Sequence, residues 1–585
     1  MQKRKYSLFY LFPYLARYRT NILVGFFMVV LTALASMVSP WVLKYVVDDL
    51  RTAFLRERLP FYAALIISAS LVEGFFRFWM RRILIGISRD IEYDLRNDFL
   101  ERLQRHSLSF FQSRNTGDIM SRATNDLNAV RSVLGPGIMY SMNTCVTALI
   151  AMTILLRINW RLTILACVPM ALVSVIVKKF GQQIHDRFES IQEQFSAIST
   201  KAQESLSGIR VVKAFAREES EIEEFRRLNN EYVRRSISLI RLWGIFYPLM
   251  SALLGISTIA LLWYGGRQVI SGMLSLGEFV AFMGYLGMLI WPTIAAGWVI
   301  NIFQRGTASM ERMLEILEAE PDIRESPDAS CPSPITGALE VRNLTFRYPN
   351  SSQPVLCDIS LSLPAGETLA IVGHTGSGKS TLINLIPRLF DPPKGSIFID
   401  GHDVRDWRLA DLRKAIGYVP QETFLFSDTI AENIAFGFDK RSSMEPIERA
   451  AQISHIAQDI RGFPQQFSTF VGERGITLSG GQKQRVAISR AIAVQPKILI
   501  LDDSLSNVDT YTEEEILQDL SDVMKNRTTI LVSHRISTVR NAHQIVVLQE
   551  GKIVERGTHE SLMALEGIYS DLYQKQLLEE ELANA

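Results

Sequence analysis

The sequence predicts a multidomain chain, an all-α membrane domain of six helices followed by an α/β domain, on three observations. Up to about Gln304, long apolar stretches alternate with highly charged ones. After about Gly337 the pattern becomes that of a soluble α/β protein. Within that second half an apolar run leads into Gly373-His374-Thr375-Gly376-Ser377-Gly378-Lys379-Ser380. The 585 residues allow more than one domain at about 100–200 residues each. The overall 48% apolar and 21% charged content averages over two unlike halves. A net charge of +1 argues against a polyanionic partner such as nucleic acid. Cys145, Cys167, Cys331 and Cys357 are too scattered for a disulfide framework or a metal site, and the first two read as packing residues in apolar runs.

The chain opens with Met1-Gln2-Lys3-Arg4-Lys5, a basic start like that of a signal peptide. The next residues, Tyr6 to Thr20, are mixed aromatic and basic, contain Pro13 and lead to no small-residue cleavage site. Residues 1–19 therefore read as an amphipathic elbow on the membrane surface, with Arg17 and Arg19 toward the headgroups. A spanning helix needs about 20 apolar residues. Six segments qualify, at 21–47, 60–83, 134–156, 162–177, 239–264 and 279–303. The links between spans two and three and between four and five are long, charged and helical in pattern, whereas the link Arg157-Ile158-Asn159-Trp160-Arg161 is short. Basic residues crowd the N-terminus and the long links, among them Arg77, Arg81, Arg82, Arg89, Lys178, Lys179 and Arg210. The positive-inside rule puts those links and both termini in the cytoplasm. Glu73 and Asn143 are candidates for a polar cavity, while Lys44, Arg77 and Glu278 read as interface residues. Pro40, Pro169, Pro248 and Pro292 are expected to interrupt spans one, four, five and six. The domains are then 1–19 elbow, 20–320 membrane domain, 321–337 a Pro/Ser-rich tether, 338–575 the α/β domain and 576–585 a tail.

The octapeptide fits GxxxxGKS in its required setting, after a strand at 367–372 and before a helix at 381–389 that starts with Thr381. The glycines let backbone N–H groups turn in around phosphates, and the helix N-terminus adds its positive end. Lys379 suits β/γ-phosphate oxygens and Ser380 suits Mg²⁺. Downstream, Ile498-Leu499-Ile500-Leu501-Asp502 reads as a buried strand ending in a carboxylate that can hold Mg²⁺ through water. Leu478-Ser479-Gly480-Gly481-Gln482 opens a helix whose Ser479 and glycine amides form a second anion site.

Leu478-Ser479-Gly480-Gly481-Gln482 resembles the signature of ATP-binding cassette proteins. The resemblance implies further roles. Tyr348 matches the aromatic that stacks on adenine. Gln421 matches the loop glutamine at the γ-phosphate, and joins Ser380 and Asp502 as a Mg²⁺ ligand. Ser506-Asn507-Val508-Asp509 resembles the D-loop, and His534 matches the switch histidine. Val471-Gly472-Glu473-Arg474-Gly475 resembles the exporter-specific loop, and Thr116-Gly117-Asp118 with Arg122, Asn125 and Asp126 resembles the first coupling region. The likeness covers nearly the whole chain and resembles bacterial exporter-type half-transporters of the multidrug Mdl kind. Such half-transporters have the type I/IV exporter fold and work in pairs in the inner membrane, using ATP and Mg²⁺. They face membrane lipids and move hydrophobic compounds.

One departure matters. The family usually has glutamate after the Mg²⁺ aspartate, where it positions the attacking water; here it is Asp503, one methylene shorter. A misplacement near 1 Å can cost about 10²-fold in rate. With its signature intact, the chain is expected to be the slow-site member of a heterodimer whose other subunit carries the glutamate. A homodimeric lipid flippase is the alternative within transport, and an ATP-gated channel or regulator the alternative outside it.

Overall fold

The computed structural model describes the chain except residues 1–6, 51–54, 328, 330–333, 350, 439–442, 473–474, 476, 506–509, 534 and 585, and except the side chains of 55–57, 169–175, 177–178, 254, 257, 510–511, 536–537 and 579–584. It divides into two compact units. One comprises Met1–Leu103 with Gly117–Ala319, the other Gln104–Thr116 with Glu320–Ala585.

The first unit is helical. Arg19–Ser36 and Val38–Asp49 make one long element broken at Met37. Pro40 has no N–H to offer the Ser36 carbonyl, so the ladder fails there. The fully buried Tyr285 donates its hydroxyl to the Met37 carbonyl at 2.8 Å and so satisfies a backbone group at the break. Leu55–Gln104 runs 50 residues, about 75 Å at 1.5 Å per residue, more than twice a hydrocarbon core. Ile138–Ser207 turns at Asn159, which leaves helical geometry with φ −161° and ψ 105°. The Asn159 Oδ1 then accepts Leu162 N–H at 3.0 Å, capping the next stretch of helix. Glu218–Ile270 is continuous. Ser275 and Glu278 form a capping box that starts Leu276–Met288, and Ile290–Leu317 comes after Leu289.

Five helices among the described residues are long and apolar enough to cross a membrane: Arg19–Asp49, Arg58–Gln104, Thr116–Val168, Glu218–Ile270 and Leu276–Leu317. The fourth expected span, 162–177, continues as helix from the Asn159 turn, but most side chains of its second half lie outside the described residues. The proline expectation needs correction. Pro40 and Pro292 stand just after breaks, but Pro248 is contained in an unbroken helix, as membrane helices tolerate, and the side chain of Pro169 lies outside the described residues. Arg17 does not turn only to headgroups, since it pairs with Asp94 at 3.2 Å, and the Tyr14 hydroxyl beside it donates to Asp98. Cys145 is exposed on the helix surface, not packed as expected. Farther along, Asp126 accepts from Ser309 at 2.9 Å and from Arg312 Nε at 2.8 Å, while Arg122 reaches the Arg312 carbonyl at 2.6 Å and Glu315 at 2.7 Å. These bonds lock Ile290–Leu317 against the segment that carries Asp118.

The second unit contains twelve strands among the described residues: β1 Leu339–Phe346, β2 Leu356–Leu363, β3 Thr368–Val372, β4 Ile397–Ile399, β5 His402–Asp403, β6 Ile416–Val419, β7 Asp428–Thr429, β8 Phe470–Val471, β9 Ile498–Asp502, β10 Thr528–Val532, β11 Gln544–Gln549 and β12 Lys552–Gly557. The main sheet has the order β12-β11-β3-β10-β9-β6, parallel except at β12. Every residue of β3, β9 and β10 is buried, as a parallel sheet covered on both faces requires. A second sheet, β2-β1-β4-β5, packs with the helix Lys379–Leu385 into one core. A separate core holds the helices Ile430–Ala435, Met444–Ile453 and Gly480–Ala493.

The expected tether is also corrected. Among its described residues, Asp322 accepts from Ser107 Oγ at 2.6 Å and from Ser109 Oγ at 2.5 Å. The Glu325 carboxylate accepts Leu409 N–H at 2.8 Å, and the fully buried Arg388 donates to the Arg324 carbonyl at 3.3 Å. The charge and hydrogen-bonding groups of these residues dock the segment onto the α/β unit, which prolines and serines alone did not reveal.

Candidate nucleotide-binding site

The parallel strands of the main sheet deliver their C-terminal ends to one edge, the usual place for a ligand in such sheets. β3 ends at Val372 and passes directly into Gly373–Lys379. Gly373 and Gly378 have φ of 148° and 102°. A Cβ on Gly373 would run into the Leu548 carbonyl, and one on Gly378 would lie 2.8 Å from Leu356. The loop turn therefore requires glycine at both places. His374, Thr375 and Gly376 are exposed at its rim, while Ser377, Lys379 and Thr381 are buried and Ser380 is half-buried. Lys379 Nζ donates to the carbonyls of Gly373 at 2.8 Å and His374 at 3.0 Å.

Burial pushes the Lys379 ammonium below the ordinary lysine range, against the pull of Asp502 and Asp503. Burial likewise pushes the Asp502 carboxyl up, opposed by a hydrogen bond from Ser380. Two of the three residues expected to hold Mg²⁺, Ser380 and Asp502, are thus already joined. The Ser377 hydroxyl is buried without a partner among the described residues. A cationic, glycine-lined loop with an unfilled hydroxyl donor fits a polyphosphate, and the adjoining Ser380–Asp502 pair fits a hard cation.

The other expected residues fall around this loop. Tyr348 stands edge-on to Phe346 and Phe390, with ring centroids 5.2 Å and 5.0 Å away, and its hydroxyl is 3.0 Å from Thr381 Oγ1. β6 pairs with β9 with Val419 opposite Leu501, and Gln421 and Asp503 follow just beyond the ends of these two strands. Gln421 is exposed. Asp503 sits in the left-handed region at φ 45°, with its N–H bonded to the Val532 carbonyl at 2.8 Å. That geometry could not be read from its neighbours in sequence. His534, the D-loop residues 506–509, and Glu473 and Arg474 lie outside the described residues.

The signature residues form a separate surface. Ser479 Oγ accepts Gln482 N–H at 3.2 Å and Gln482 Oε1 accepts Ser479 N–H at 3.0 Å, a capping box at the head of Gly480–Ala493. Ser479 and Gly480 are exposed, Gly481 and Gln482 half-buried. Gln482 Nε2 also donates to Asp459 at 2.9 Å, and Arg485 pairs with Asp459 at 2.9 Å and donates to the His455 carbonyl. Sequence reasoning missed this Asp459 brace, because nothing in the sequence near 459 marks it.

In the helical unit, Glu73 and Asn143 line one cavity of about 340 Å³ together with Arg77, Thr32, Ser36 and Thr147. The hydroxyls at 32 and 36 escaped the sequence analysis. Their i, i+4 spacing was the available signal. Lys44 and Glu278 form an ion pair at 3.1 Å, and Glu73 pairs with Arg77.

Comparison with known proteins bears on the whole chain. The family description "ABC transporter transmembrane region" matches residues 22–293, and "ABC transporter" matches residues 356–506. An ATP-dependent lipid A-core flippase of Syntrophus aciditrophicus (strain SB) is 38% identical over 555 residues, 95% of this chain and 92% of its own. The multidrug resistance-like ATP-binding protein MdlA of Escherichia coli (strain K12) is 36% identical over 561 residues, 95% and 94% of the two chains. This chain is a half-transporter of the ABC exporter family. The half-transporter's fold agrees with that assignment, since a bacterial Atm1-family ABC exporter solved with ATP bound superposes with a TM-score of 0.77 at 27% identity, over 96% of this chain and 99% of that one. The half-transporter is accordingly a membrane protein whose second unit is an ATP-binding ATPase domain.

Proposed function

We propose that this chain is one half of a dimeric exporter that uses ATP to move hydrophobic or amphipathic compounds, multidrug or lipid-like, out across the inner membrane. In this reading both termini and the α/β unit are cytoplasmic. The backbone of Gly373–Gly378 and Lys379 bind the β- and γ-phosphates, Ser380 and Asp502 with Gln421 hold Mg²⁺, and Tyr348 supports adenine. The metal supplies positive charge to the transferring phosphoryl group. Asp503 orients water, with His534 and Gln421 completing the set. The second half contributes its own signature to this site and receives Ser479–Gln482 at its own phosphate loop. ATP thereby draws the two cassettes together, and its hydrolysis lets them part.

The pairing reading rests on one observation. The signature sequence is complete, with Ser479 and Gly480 exposed, while the water-positioning carboxylate is an aspartate in left-handed backbone. Asp503 is one methylene shorter than the glutamate usual at this place in the family, so its carboxylate reaches less far toward the attacking water. The partner is then a different chain carrying glutamate. The relatives named as a lipid A-core flippase and a multidrug resistance-like protein support a lipid-like or drug-like cargo. Purification of this chain alone tests the pairing: substrate-stimulated ATP hydrolysis at ordinary exporter rates would reject the heterodimer and favour a homodimeric flippase.

A further inference from the structure

The stretch 454–462 grips the helix Gly480–Ala493 along one face. Ser454 Oγ lies 2.6 Å from Ser489 Oγ, and both side chains are fully buried. One turn nearer the head of the helix, Arg485 Nη1 reaches the His455 carbonyl at 2.7 Å and Asp459 Oδ2 at 2.9 Å. A further turn back, Gln482 Nε2 donates to Asp459 Oδ1 at 2.9 Å. Residues 482, 485 and 489 share that face by their i, i+3 and i+7 spacing. Each Asp459 oxygen thus has its own partner on the first turns of the helix. Asp459 is itself held in place, because Ile456, Ala457 and Ile460 around it are buried in the core that also takes Val486 and Ile488.

The consequence lies in the Gln482 amide. Its Oε1 must face the Ser479 N–H to close the capping box, yet the two ends of an amide have nearly the same shape. A carboxylate accepts hydrogen bonds and does not donate them, so Asp459 draws the NH₂ end and leaves Oε1 for Ser479. Turned the other way, the amide would set its NH₂ against the Ser479 N–H and open the box. Asp459 therefore governs how Ser479 and the glycine amides are presented. Arg485 offsets its charge, so the carboxylate does not repel a phosphate at the helix head.

We propose that Asp459 is a positioning residue for ATP turnover: acting through Gln482, it holds the signature in the geometry that meets the γ-phosphate on the second half's loop. Asp459 does not itself touch nucleotide. The proposal rests on the reading that this chain's signature completes the second half's ATP site, and it is independent of the asymmetry assigned to Asp503. An aspartate kept only for the fold would change melting temperature and leave the rate per folded molecule alone.

The test is ATP turnover by the assembled exporter, both halves present, with substitutions in this chain. Ser479→Ala checks the underlying reading and is expected to lower kcat about tenfold or more. Asp459→Ala is expected to lower kcat about tenfold. ATP binding at this chain's own phosphate loop, measured on the full chain alone, should stay within about twofold. In a Gln482→Ala background, adding Asp459→Ala should cost less than about twofold more, because the aspartate acts through that amide. Asp459→Asn keeps an acceptor for Gln482 and gives up the charge for Arg485. It should lose about two- to fivefold, and it stands in should the alanine variant fail to assemble. An unchanged kcat in Ser479→Ala removes the underlying reading and the proposal with it. A fall with Ser479→Ala but an unchanged kcat with Asp459→Ala, or with its asparagine stand-in, overturns the proposal alone. So do losses at Asp459 and Gln482 that multiply independently, or a lower melting temperature with kcat per folded molecule unchanged.

Discussion

Lys379 and Asp502 are each pushed by burial toward the neutral form, and a ligand of opposite charge would relieve each. Because the folded pKa of Asp502 is raised, its ionised form costs stability without ligand. Stability is greatest when the carboxyl is protonated and falls as pH rises from the ordinary value of 3.8 through the raised one. Asp502→Asn should therefore melt at or above the natural protein at neutral pH when nucleotide is absent. The same variant should lose the gain from Mg²⁺-ATP, which for the natural protein at 100 times Kd is about 2.7 kcal/mol. A lower melting temperature without nucleotide would contradict the assignment. Lys379→Ala should weaken ATP binding about 10- to 150-fold in calorimetry, the equivalent of about 1.5–3 kcal/mol for a charge-assisted hydrogen bond. The left-handed Asp503 could not be foreseen, because its N–H partner, the Val532 carbonyl, lies at the end of another strand distant in sequence.

At the scale of elements, the segment after the membrane unit behaves as a strap. Hydrogen bonds from Ser107 and Ser109, then the charges of His106 and Arg114, hold the Asp322 carboxyl below its ordinary range. A lowered pKa means that this contribution is present above 3.8 and is lost only as pH falls through the lowered value. The strap should stay docked across about pH 6–8. Asp322→Ala should cost about 2 kcal/mol locally and speed hydrogen exchange of 104–116 and 320–327 at least tenfold, with the β3 amides unaffected. Arg388 binds Asp391 at 2.9 Å and donates to the backbone carbonyls of Val404, Arg405 and Arg324. Arg388→Met should destabilise the α/β unit by about 3–5 kcal/mol, seen as a fall in its melting temperature, because it strands those acceptors in the interior. Neither contact belongs to a motif. The partners lie up to 215 residues apart, and each joins a polar group to a surface that only folding creates.

For the whole molecule, the pairing of halves decides function. If the second half supplies the glutamate, mixing the two chains should raise ATP turnover at least tenfold over either alone. Asp503→Glu should then activate this chain's own site by up to about 10²-fold, provided that the backbone accepts the longer side chain. No rise on mixing would remove the heterodimer. The orientation has its own check. In a variant otherwise lacking cysteine, Arg161→Cys in the short link should react with a membrane-impermeant maleimide applied from outside, and labelling only after lysis would invert the topology.

The sequence alone determined the two-part plan, the phosphate loop, the carboxylate strand and the signature helix, because each is a run of neighbours whose chemistry is local. Apolar length marks a spanning helix for the same reason. Tertiary structure decided which faces of those helices meet. Along the apolar stretches of these helices most faces carry similar side chains, so composition encodes little of the rotation about the helix axis. Only the folded chain could place Thr32 and Ser36 beside Glu73 and Asn143, bring Tyr285 to the Met37 carbonyl, and set Asp503 in left-handed backbone beside β10.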